Sequence, residues 1–110
     1  MSHLYWHRGN SPKIQFKDYV LDQLHRLSGV ECKSMFGGFG LYCNGVFFGI
    51  IADGCVYFKT NATTVEAYKE RDMQPFKPSA KQTLKNYYEV PEDILEDEEE
   101  LAQWARKATP

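Results

Sequence analysis

Apolar residues recur at helical spacing near the start of the chain. Over residues 14–28 they return every three or four positions, the interval of one helical face: Phe16, Val20, Leu24 and Leu27. Ser11-Pro12 suits the beginning of a helix, and Gly29 suits the position just after its end. We therefore predict an amphipathic helix over residues 14–28 that buries its apolar face.

A second helical pattern lies near the end of the sequence. Its apolar positions share one face: Leu101, Trp104, Ala105 and Ala108. Asp97 is a good N-cap, and the acidic run of residues 96–100 would lie at the positive end of the helix dipole. Arg106 and Lys107 would lie at the negative end. We interpret the acidic run as a helix terminus rather than as an acidic binding tail.

Two dipeptides between these helices favour tight hairpin turns. They are Asn44-Gly45 and Asp53-Gly54. Together with the runs of β-prone residues, they predict strands over residues 30–36, 39–43, 46–51 and 55–59. Two-residue turns make successive strands antiparallel neighbours, so these strands should form a meander. Residues 46–51 are apolar on both faces, which is typical of a central strand with helices over at least one side.

The second half of the chain adds shorter elements. Asn61 is a plausible N-cap for a short helix over residues 63–71. Residues 73–78 contain Pro75 and Pro78 and should be irregular or an edge strand. Residues 83–90 read as a further strand, and Pro91 can open a helical turn over residues 91–95.

This order of elements predicts the α+β class. We expect an antiparallel meander sheet flanked by N- and C-terminal helices, in the order α-β-β-β-β-α-β-α. Residues 1–13 are expected to form a flexible tail, and residues 14–110 a single domain. The chain has 110 residues, of which 43% are apolar, and this is enough for one hydrophobic core.

Composition and cysteine usage narrow the functional classes. Thirteen basic residues against 15 acidic ones leave a net charge of −2, without the basic excess of a typical nucleic-acid-binding domain. The sequence contains neither an apolar run of ~18 residues that could span a membrane nor a secretory signal at its start. Cys32, Cys43 and Cys55 are odd in number and lack C-x-x-C spacing, which indicates buried thiols in the reducing cytoplasm.

The glycine-rich segment of residues 35–42 invites a phosphate-binding interpretation. It contains neither Gly-Lys-Ser/Thr nor a complete G-x-G-x-x-G, and it leads into a hairpin rather than a helix. We expect its glycines to relieve crowding at a bent or bulged strand start.

Catalytic and metal-binding groups are sparse. His3 and His7 could share a helix face but have no further ligands near them, and His25 is isolated. Cys32 lies between Glu31 and Lys33, whose charges could perturb the pKa of its thiol, but nothing else in the sequence requires such a shift. We predict no catalytic residues, no metal and no cofactor, and therefore a protein that is not an enzyme.

Several ordered motifs carry a family resemblance. They run through most of the chain: Met35-Phe36-Gly37-Gly38, Gly40-Leu41-Tyr42, Gly45, Phe48-Gly49, Asp53-Gly54, Tyr57, Lys59-Thr60, Pro75-Phe76, Tyr87-Tyr88-Glu89-Val90-Pro91 and Trp104-Ala105. From about Phe16 to Ala108 the sequence resembles the N-terminal domain of the TfoX/Sxy family. In that family a basic residue, often arginine, usually precedes Met-Phe-Gly-Gly, and Lys33 is the nearest match here.

The resemblance implies a fold and a role. It implies an antiparallel α+β fold similar to the secretion-chaperone-like arrangement. It also implies a part in regulating natural competence, because full-length TfoX/Sxy proteins are co-regulators linked to the cyclic-AMP receptor protein at competence promoters. Those proteins carry a second, helical domain after the N-terminal one. We expect this chain to be a stand-alone N-terminal domain, so the competence role does not transfer automatically.

The leading hypothesis is a regulatory domain that binds a transcription factor or RNA polymerase. Its docking surface would be an exposed sheet edge or an aromatic patch of Phe36, Phe39, Tyr42 and Phe76, although such rings more often form core, which is the interpretation we favour for them. The alternatives are direct nucleic-acid binding, through Lys77, Lys81 and Lys85 with Tyr87 and Tyr88 nearby, and a small-ligand or peptide-binding module unrelated to competence. Homodimerisation through a sheet edge is a further option.

Two sets of residues follow from these hypotheses. The family-motif residues, expected to be structural, are Met35, Phe36, Gly37, Gly38, Gly40, Leu41, Tyr42, Asp53 and Gly54. The candidate binding surface consists of Lys33, Phe39, Phe76, Lys77, Lys81 and Lys85.

Overall fold

The architecture is a six-stranded antiparallel sheet with helices packed on one side. The computed structural model describes residues 11–35 and 37–109. In chain order the elements are α1 (Pro12–Gln23), β1 (Val30–Met35), β2 (Gly38–Cys43), β3 (Val46–Ala52), β4 (Cys55–Lys59), α2 (Val65–Lys69), β5 (Pro75–Ser79), β6 (Gln82–Glu89), α3 (Glu92–Leu95) and α4 (Glu98–Ala108). The strands lie side by side in the order β1-β2-β3-β4-β6-β5. The predicted α+β class is confirmed.

Both predicted hairpin turns are present. Asn44 and Gly45 have φ angles of 51° and 83°, and Asp53 and Gly54 have φ angles of 51° and 75°. Two consecutive residues with positive φ are the signature of a type I′ turn, whose twist matches that of the flanking strands. The two turns therefore connect β2 to β3 and β3 to β4 in the predicted meander.

The sheet carries a bulge at its centre. Leu41 pairs with Gly49 but Tyr42 pairs with Phe47, so Phe48 is an extra residue on β3. Gly49 is needed there because a Cβ atom would lie 2.8 Å from the carbonyl oxygen of Tyr57.

The core fills one face of the sheet, which we call the covered face. All four helices place side chains in it, including Val20 of α1, Tyr68 of α2, Ile94 of α3 and Leu101 of α4. The largest fully buried side chains are Phe48, Phe58, Leu24, Leu41, Leu101, Val20 and Val56. The helices therefore form a single layer, which leaves the opposite side of the sheet without a helix from the described residues.

The first helix is shorter than predicted. The structure ends α1 at Gln23 rather than at residue 28, because Leu24 leaves helical geometry with ψ at 11°. A tight turn follows, in which the amide of Leu27 donates to the carbonyl of Leu24 at 2.9 Å. Gly29, with φ at 80°, then accepts a hydrogen bond from the Asn44 amide at 2.9 Å, which aligns β1 with β2.

The other boundaries stay close to the predictions. Asp97 caps α4 as predicted, with its carboxylate accepting from the amides of Glu99 and Glu100 at 3.1 Å. The side-chain oxygen of Asn61 accepts from two amides ahead of α2, which spans a shorter stretch than residues 63–71. The proline-bearing segment is the edge strand β5. Pro12 and Lys13 belong to α1, whereas the expected tail over residues 1–10 lies outside the described residues.

Candidate functional site

The side of the sheet opposite the helices carries a row of aromatic rings, and we call it the open face. Ring centroids are 5.2 Å apart for Tyr42 and Phe47, and 5.6 Å apart for Phe47 and Tyr87. A second pair, Tyr57 and Phe76, has centroids 4.6 Å apart. These rings come from β2, β3, β4, β5 and β6. Adjacent strands thus bring side chains that are distant in sequence into one continuous surface.

Burial separates the open face from the core. Phe47, next to the fully buried Phe48 in β3, is only partly buried, and the same holds for Tyr57, next to the fully buried Phe58 in β4. Alternation along a strand explains the contrast, because neighbouring side chains point to opposite faces. Ile50 also lies on the open face but is buried, with 2% of its surface exposed. A contiguous, half-exposed apolar surface of this kind marks a site of interaction in many proteins.

A pocket of about 440 Å³ lies on the open face between the β1–β2 corner and the β5–β6 hairpin. Ligand pockets typically measure roughly 300–1,000 Å³. Its apolar lining comes from Met35, Ile50, Ala52, Phe76, Pro78 and Leu84. Its polar lining includes Asp53, Lys77 and Gln82, while Gly37 and Gly38 contribute backbone. The pocket can therefore hold an apolar group beside polar residues of both charges.

The glycine motif separates this pocket from a second one. A smaller cavity of about 250 Å³ lies beside the first, with Gly37, Gly38, Ala52 and Asp53 lining both. Gly37 has φ at 79°, and a Cβ atom there would meet only the Lys13 ammonium group at 4.0 Å. Gly38 has no such room, because a Cβ atom would collide with the carbonyl oxygen of Ile51. Because these glycines have no side chains, the backbone between the two pockets is uncovered and can lie close to β3.

Two tyrosine hydroxyls on the open face, those of Tyr57 and Tyr87, are held in the protonated form. Burial raises the pKa of Tyr57 to about 12, with the neighbouring Cys55 and Glu89 adding to the shift. Burial also raises the pKa of Tyr87. Both phenols are therefore hydrogen-bond donors, which suits them to bind carbonyl or carboxylate oxygens at an otherwise apolar surface.

Burial acts against thiol chemistry. It raises the pKa of the Cys32 and Cys55 thiols, so neither is a ready thiolate at neutral pH. Cys43 is buried, and its thiol donates to the carbonyl of Ser28 at 3.4 Å. His25 pairs with Glu98 at 2.7 Å on an exposed surface away from the pocket. Over residues 11–35 and 37–109, no group of three or more His, Cys, Asp or Glu side chains is arranged to hold a metal ion.

The family-motif residues divide between pocket, sheet and core. Four of them line the pocket: Met35, Gly37, Gly38 and Asp53. Gly40 and Tyr42 lie on the open face beside Phe47, whereas Leu41 is fully buried on the covered face. Gly54 completes the turn after Asp53, and Phe36 falls outside the described residues.

The predicted binding-surface residues do not form one patch. Phe76 and Lys77 line the pocket, and the Lys33 ammonium group lies 4.8 Å from the centre of the Tyr42 ring. Phe39, in contrast, packs against the core on the covered face, with the Lys17 ammonium group 5.7 Å from its ring centre.

The three lysines spaced by four residues are also separated. Lys77 is on β5, Lys81 is in the β5–β6 turn, and Lys85 is on β6. Lys85 is exposed and is not among the described residues that line the pocket, although its neighbour Leu84 is. Four-residue spacing aligns side chains on a helix, but not on two strands joined by a turn.

Sequence reasoning missed several residues of the site. Ile50, Phe47, Tyr57 and Leu84 belong to the open face or its pocket, yet none was proposed as a binding residue. The signal that could have found them is the apolar character of β3 on both faces. One of those faces forms the core, and the other forms the floor of the open face.

Comparison with known proteins places the chain in a family. No helix within residues 11–35 and 37–109 has the length and apolar character needed to cross a membrane. A search of curated proteins finds no match. The family model described as the TfoX N-terminal domain, however, matches residues 22–110, which include the glycine motif, the whole sheet and α4. This chain belongs to the TfoX N-terminal domain family.

Proposed function

We propose that this protein is a non-catalytic regulatory domain that binds a segment of a protein partner on its open face. The observation that carries the proposal is the apolar pocket of about 440 Å³, lined by the family's own glycine motif and by Phe76 and Leu84. Family membership makes a transcriptional co-regulator role the natural setting. The partner would then be a transcription factor, such as the cyclic-AMP receptor protein, or RNA polymerase, in the cytoplasm.

The lining of the pocket indicates the chemistry of the partner segment that would bind there. An apolar side chain would enter between Met35, Ile50 and Phe76, where burying apolar surface supplies most of the affinity. Asp53 and Lys77 would each pair with an opposite charge on the flanks of that segment. The aromatic row of Tyr42, Phe47 and Tyr87 would extend the contact, because its rings are half-buried already and lose little conformational freedom on binding.

The state of the thiols supports a binding role over catalysis. A nucleophilic cysteine needs a lowered pKa, but burial raises the pKa of both Cys32 and Cys55. Among the described residues, the polar members of the pocket lining are Asp53, Lys77 and Gln82, and no histidine, cysteine or serine of this part of the chain lines it. We therefore retain the prediction that the domain is not an enzyme.

Single-stranded nucleic acid is the second candidate ligand. Lys33 lies over the Tyr42 ring and Lys59 is paired with Tyr87, so lysines flank the aromatic row as they do on sheets that stack bases. Glu31 and Glu89 lie on the same face, however, and the net charge of the chain is −2. The rings are also tilted against one another, by 51° for Tyr42 and Phe47, which limits their use as stacking platforms. Protein is the better-supported ligand.

Two neighbouring substitutions on β6 test the proposal. Leu84→Glu places a carboxylate in the apolar lining, whereas Lys85→Glu changes the charge at an exposed neighbouring position outside the described lining of the pocket. Binding to purified cyclic-AMP receptor protein and to purified RNA polymerase would be measured by titration calorimetry. We expect Leu84→Glu to weaken binding by about tenfold or more, and Lys85→Glu to leave it unchanged.

The outcomes separate the candidates. A folded Leu84→Glu variant that binds like the wild type, or a wild type that binds neither partner, contradicts the proposal. Single-stranded DNA serves as the second probe. Binding that falls steeply with rising salt and is weakened by Lys33→Glu and Lys59→Glu would favour the nucleic-acid alternative.

A further inference from the structure

The two edges of the sheet differ in how they are protected. β5, at one edge, contains Pro75 and Pro78, and the register of its pairing with β6 shifts at two points. Prolines and irregular pairing are devices that prevent an edge strand from adding another strand. β1, at the other edge, is six residues long, contains no proline and pairs with β2 without interruption. It is thus the edge that remains competent for strand addition.

The hydrogen-bonding pattern shows which groups of β1 face outward. The Asn44 amide donates to the Gly29 carbonyl at 2.9 Å, so this pair is hydrogen-bonded across the two strands. Hydrogen-bonded pairs alternate along an antiparallel ladder. Glu31, Lys33 and Met35 therefore direct their backbone groups at β2. Val30, Cys32 and Ser34 direct theirs away from the sheet, where no other strand of the described chain lies.

The side chains of β1 are self-complementary. Glu31 and Lys33 are exposed, lie on the open face, and form no ion pair within the described part of the chain. An antiparallel pair of two copies centred on Cys32 would place Glu31 opposite Lys33 of the partner subunit, and Lys33 opposite Glu31 of the partner subunit. The outward-facing groups of Val30, Cys32 and Ser34 would then complete the ladder. Backbone and charge thus select the same register.

Neighbouring registers are disfavoured. A shift by two residues in one direction places Glu31 opposite Glu31 of the partner subunit, and a shift in the other direction places Lys33 opposite Lys33 of the partner subunit. Like charges directly opposite each other on an antiparallel pair are destabilising. A shift by one residue would place residues whose backbone groups point outward opposite residues of the partner subunit whose backbone groups point toward β2. The hydrogen bonds between the two copies could then not form. A lysine on an edge strand often serves only to block strand addition, but here Glu31 cancels that effect in a single register.

We propose that this protein forms a two-fold symmetric homodimer in which β1 pairs with β1 of a second copy. The two six-stranded sheets join into one continuous sheet. Because the two-fold axis runs perpendicular to that sheet, both open faces lie on the same side. Met35, at the end of β1, lines the pocket in each subunit, so the dimer presents two pockets that each have one side at the shared edge. A partner with two copies of the binding segment would bind such a dimer with added avidity.

Charge reversal at β1 tests this dimer. The association of wild type, Glu31→Lys, Lys33→Glu and the double swap would be measured by sedimentation equilibrium over a range of concentrations. Each single substitution turns both symmetric ion pairs into repulsions, so the dissociation constant should rise about tenfold or more. The double swap restores opposite charges and should restore the dimer. Lys81→Glu, at the exposed β5–β6 turn, is the matched charge-reversal control and should dimerise like the wild type.

A mixing experiment makes the test independent of folding losses. An equimolar mixture of Glu31→Lys and Lys33→Glu pairs two lysines of one chain with two glutamates of the other, so a heterodimer should form where neither variant dimerises alone. A wild type that is monomeric at every concentration overturns the proposal. So does a dimer that both single substitutions leave intact, or a mixture that associates no better than its components. None of these results depends on whether the pocket binds a protein.

Discussion

The covered and open faces of this sheet are built from the same strands but have different roles. On β3, Phe48 is 0% exposed and packs at 5.6 Å from the Phe58 ring, while the adjacent Phe47 is half-buried among tyrosines. The covered face is closed by four helices and accounts for stability. The open face has apolar side chains that no described helix covers, and it retains a pocket. Apolar residues alone therefore do not identify a core, because the layer above them decides their role.

The difference between the two faces is tested most strongly by truncating each of the two phenylalanines of β3 in a separate variant. Phe48→Ala leaves a cavity in the core and should lower the free energy of unfolding by about 3–5 kcal/mol. Phe47→Ala removes a side chain that is partly solvated already, and should cost about 1 kcal/mol. Urea denaturation of the two variants measures the difference. Equal losses would mean that the open face is a second core rather than a binding surface.

A glycine substitution tests how closely the two pockets depend on the backbone. Gly38→Ala drives a Cβ atom into the carbonyl oxygen of Ile51, so it should cost about 1–3 kcal/mol and distort both pockets. Gly45→Asn is the matched control, because its turn position has open space and asparagine tolerates positive φ. Thermal denaturation measures both variants. A Gly38→Ala protein as stable as the wild type would show that β2 can move away from β3 without loss.

Weakening α4 should affect the covered face alone. Asp97→Ala removes the side chain that accepts hydrogen bonds from the Glu99 and Glu100 amides, and should cost about 1 kcal/mol of stability. Asp97→Asn retains a good N-cap and should be near neutral. Partner binding at the pocket should be equal in both variants. If binding falls together with stability, the two faces are coupled and the separation made here is wrong.

The open face should also give a pH dependence, which is absent at neutral pH and appears only above pH 10. Burial raises the pKa of Tyr57 to about 12 in the folded protein, against the ordinary value of 10.0 in the unfolded chain. The folded state holds this proton more tightly, so its stabilisation is complete below pH 10 and is lost as the pH rises through 12. Tyr57→Phe should flatten the decline in unfolding free energy between these two pH values. A variant with an unchanged decline would assign it to other tyrosines, among them Tyr68, whose pKa burial raises still further.

Local chemistry explains why much of the fold was predictable. The two hairpins follow from Asn44-Gly45 and Asp53-Gly54, since type I′ turns need those residues whatever surrounds them. The cap at Asp97 is equally local. The end of α1 was missed because the apolar spacing continues to Leu27, beyond the helix. The backbone leaves the helix at Leu24 and forms a turn in which the Leu27 amide donates to the Leu24 carbonyl.

The site was harder to predict because it is a product of strand pairing. Phe39 and Phe76 have similar side chains, but Phe39 lies against the core while Phe76 lines the pocket. Their faces depend on register and on the position of β5 beside β6, and both are long-range properties. Phe76 and Lys77, which the sequence analysis named as binding residues, do line the pocket. Met35, Gly37, Gly38 and Asp53 also line it, although the sequence analysis expected these family-motif residues to be structural.

Binding of a partner to the pocket on the open face can be tested directly by hydrogen exchange. Amide exchange of the domain would be followed with and without purified RNA polymerase or cyclic-AMP receptor protein. We expect added protection at Gly37, Gly38 and the β5–β6 hairpin, with none in α1 or α4. Protection confined to the helices, with the hairpin unchanged, would show that the partner does not bind at the pocket.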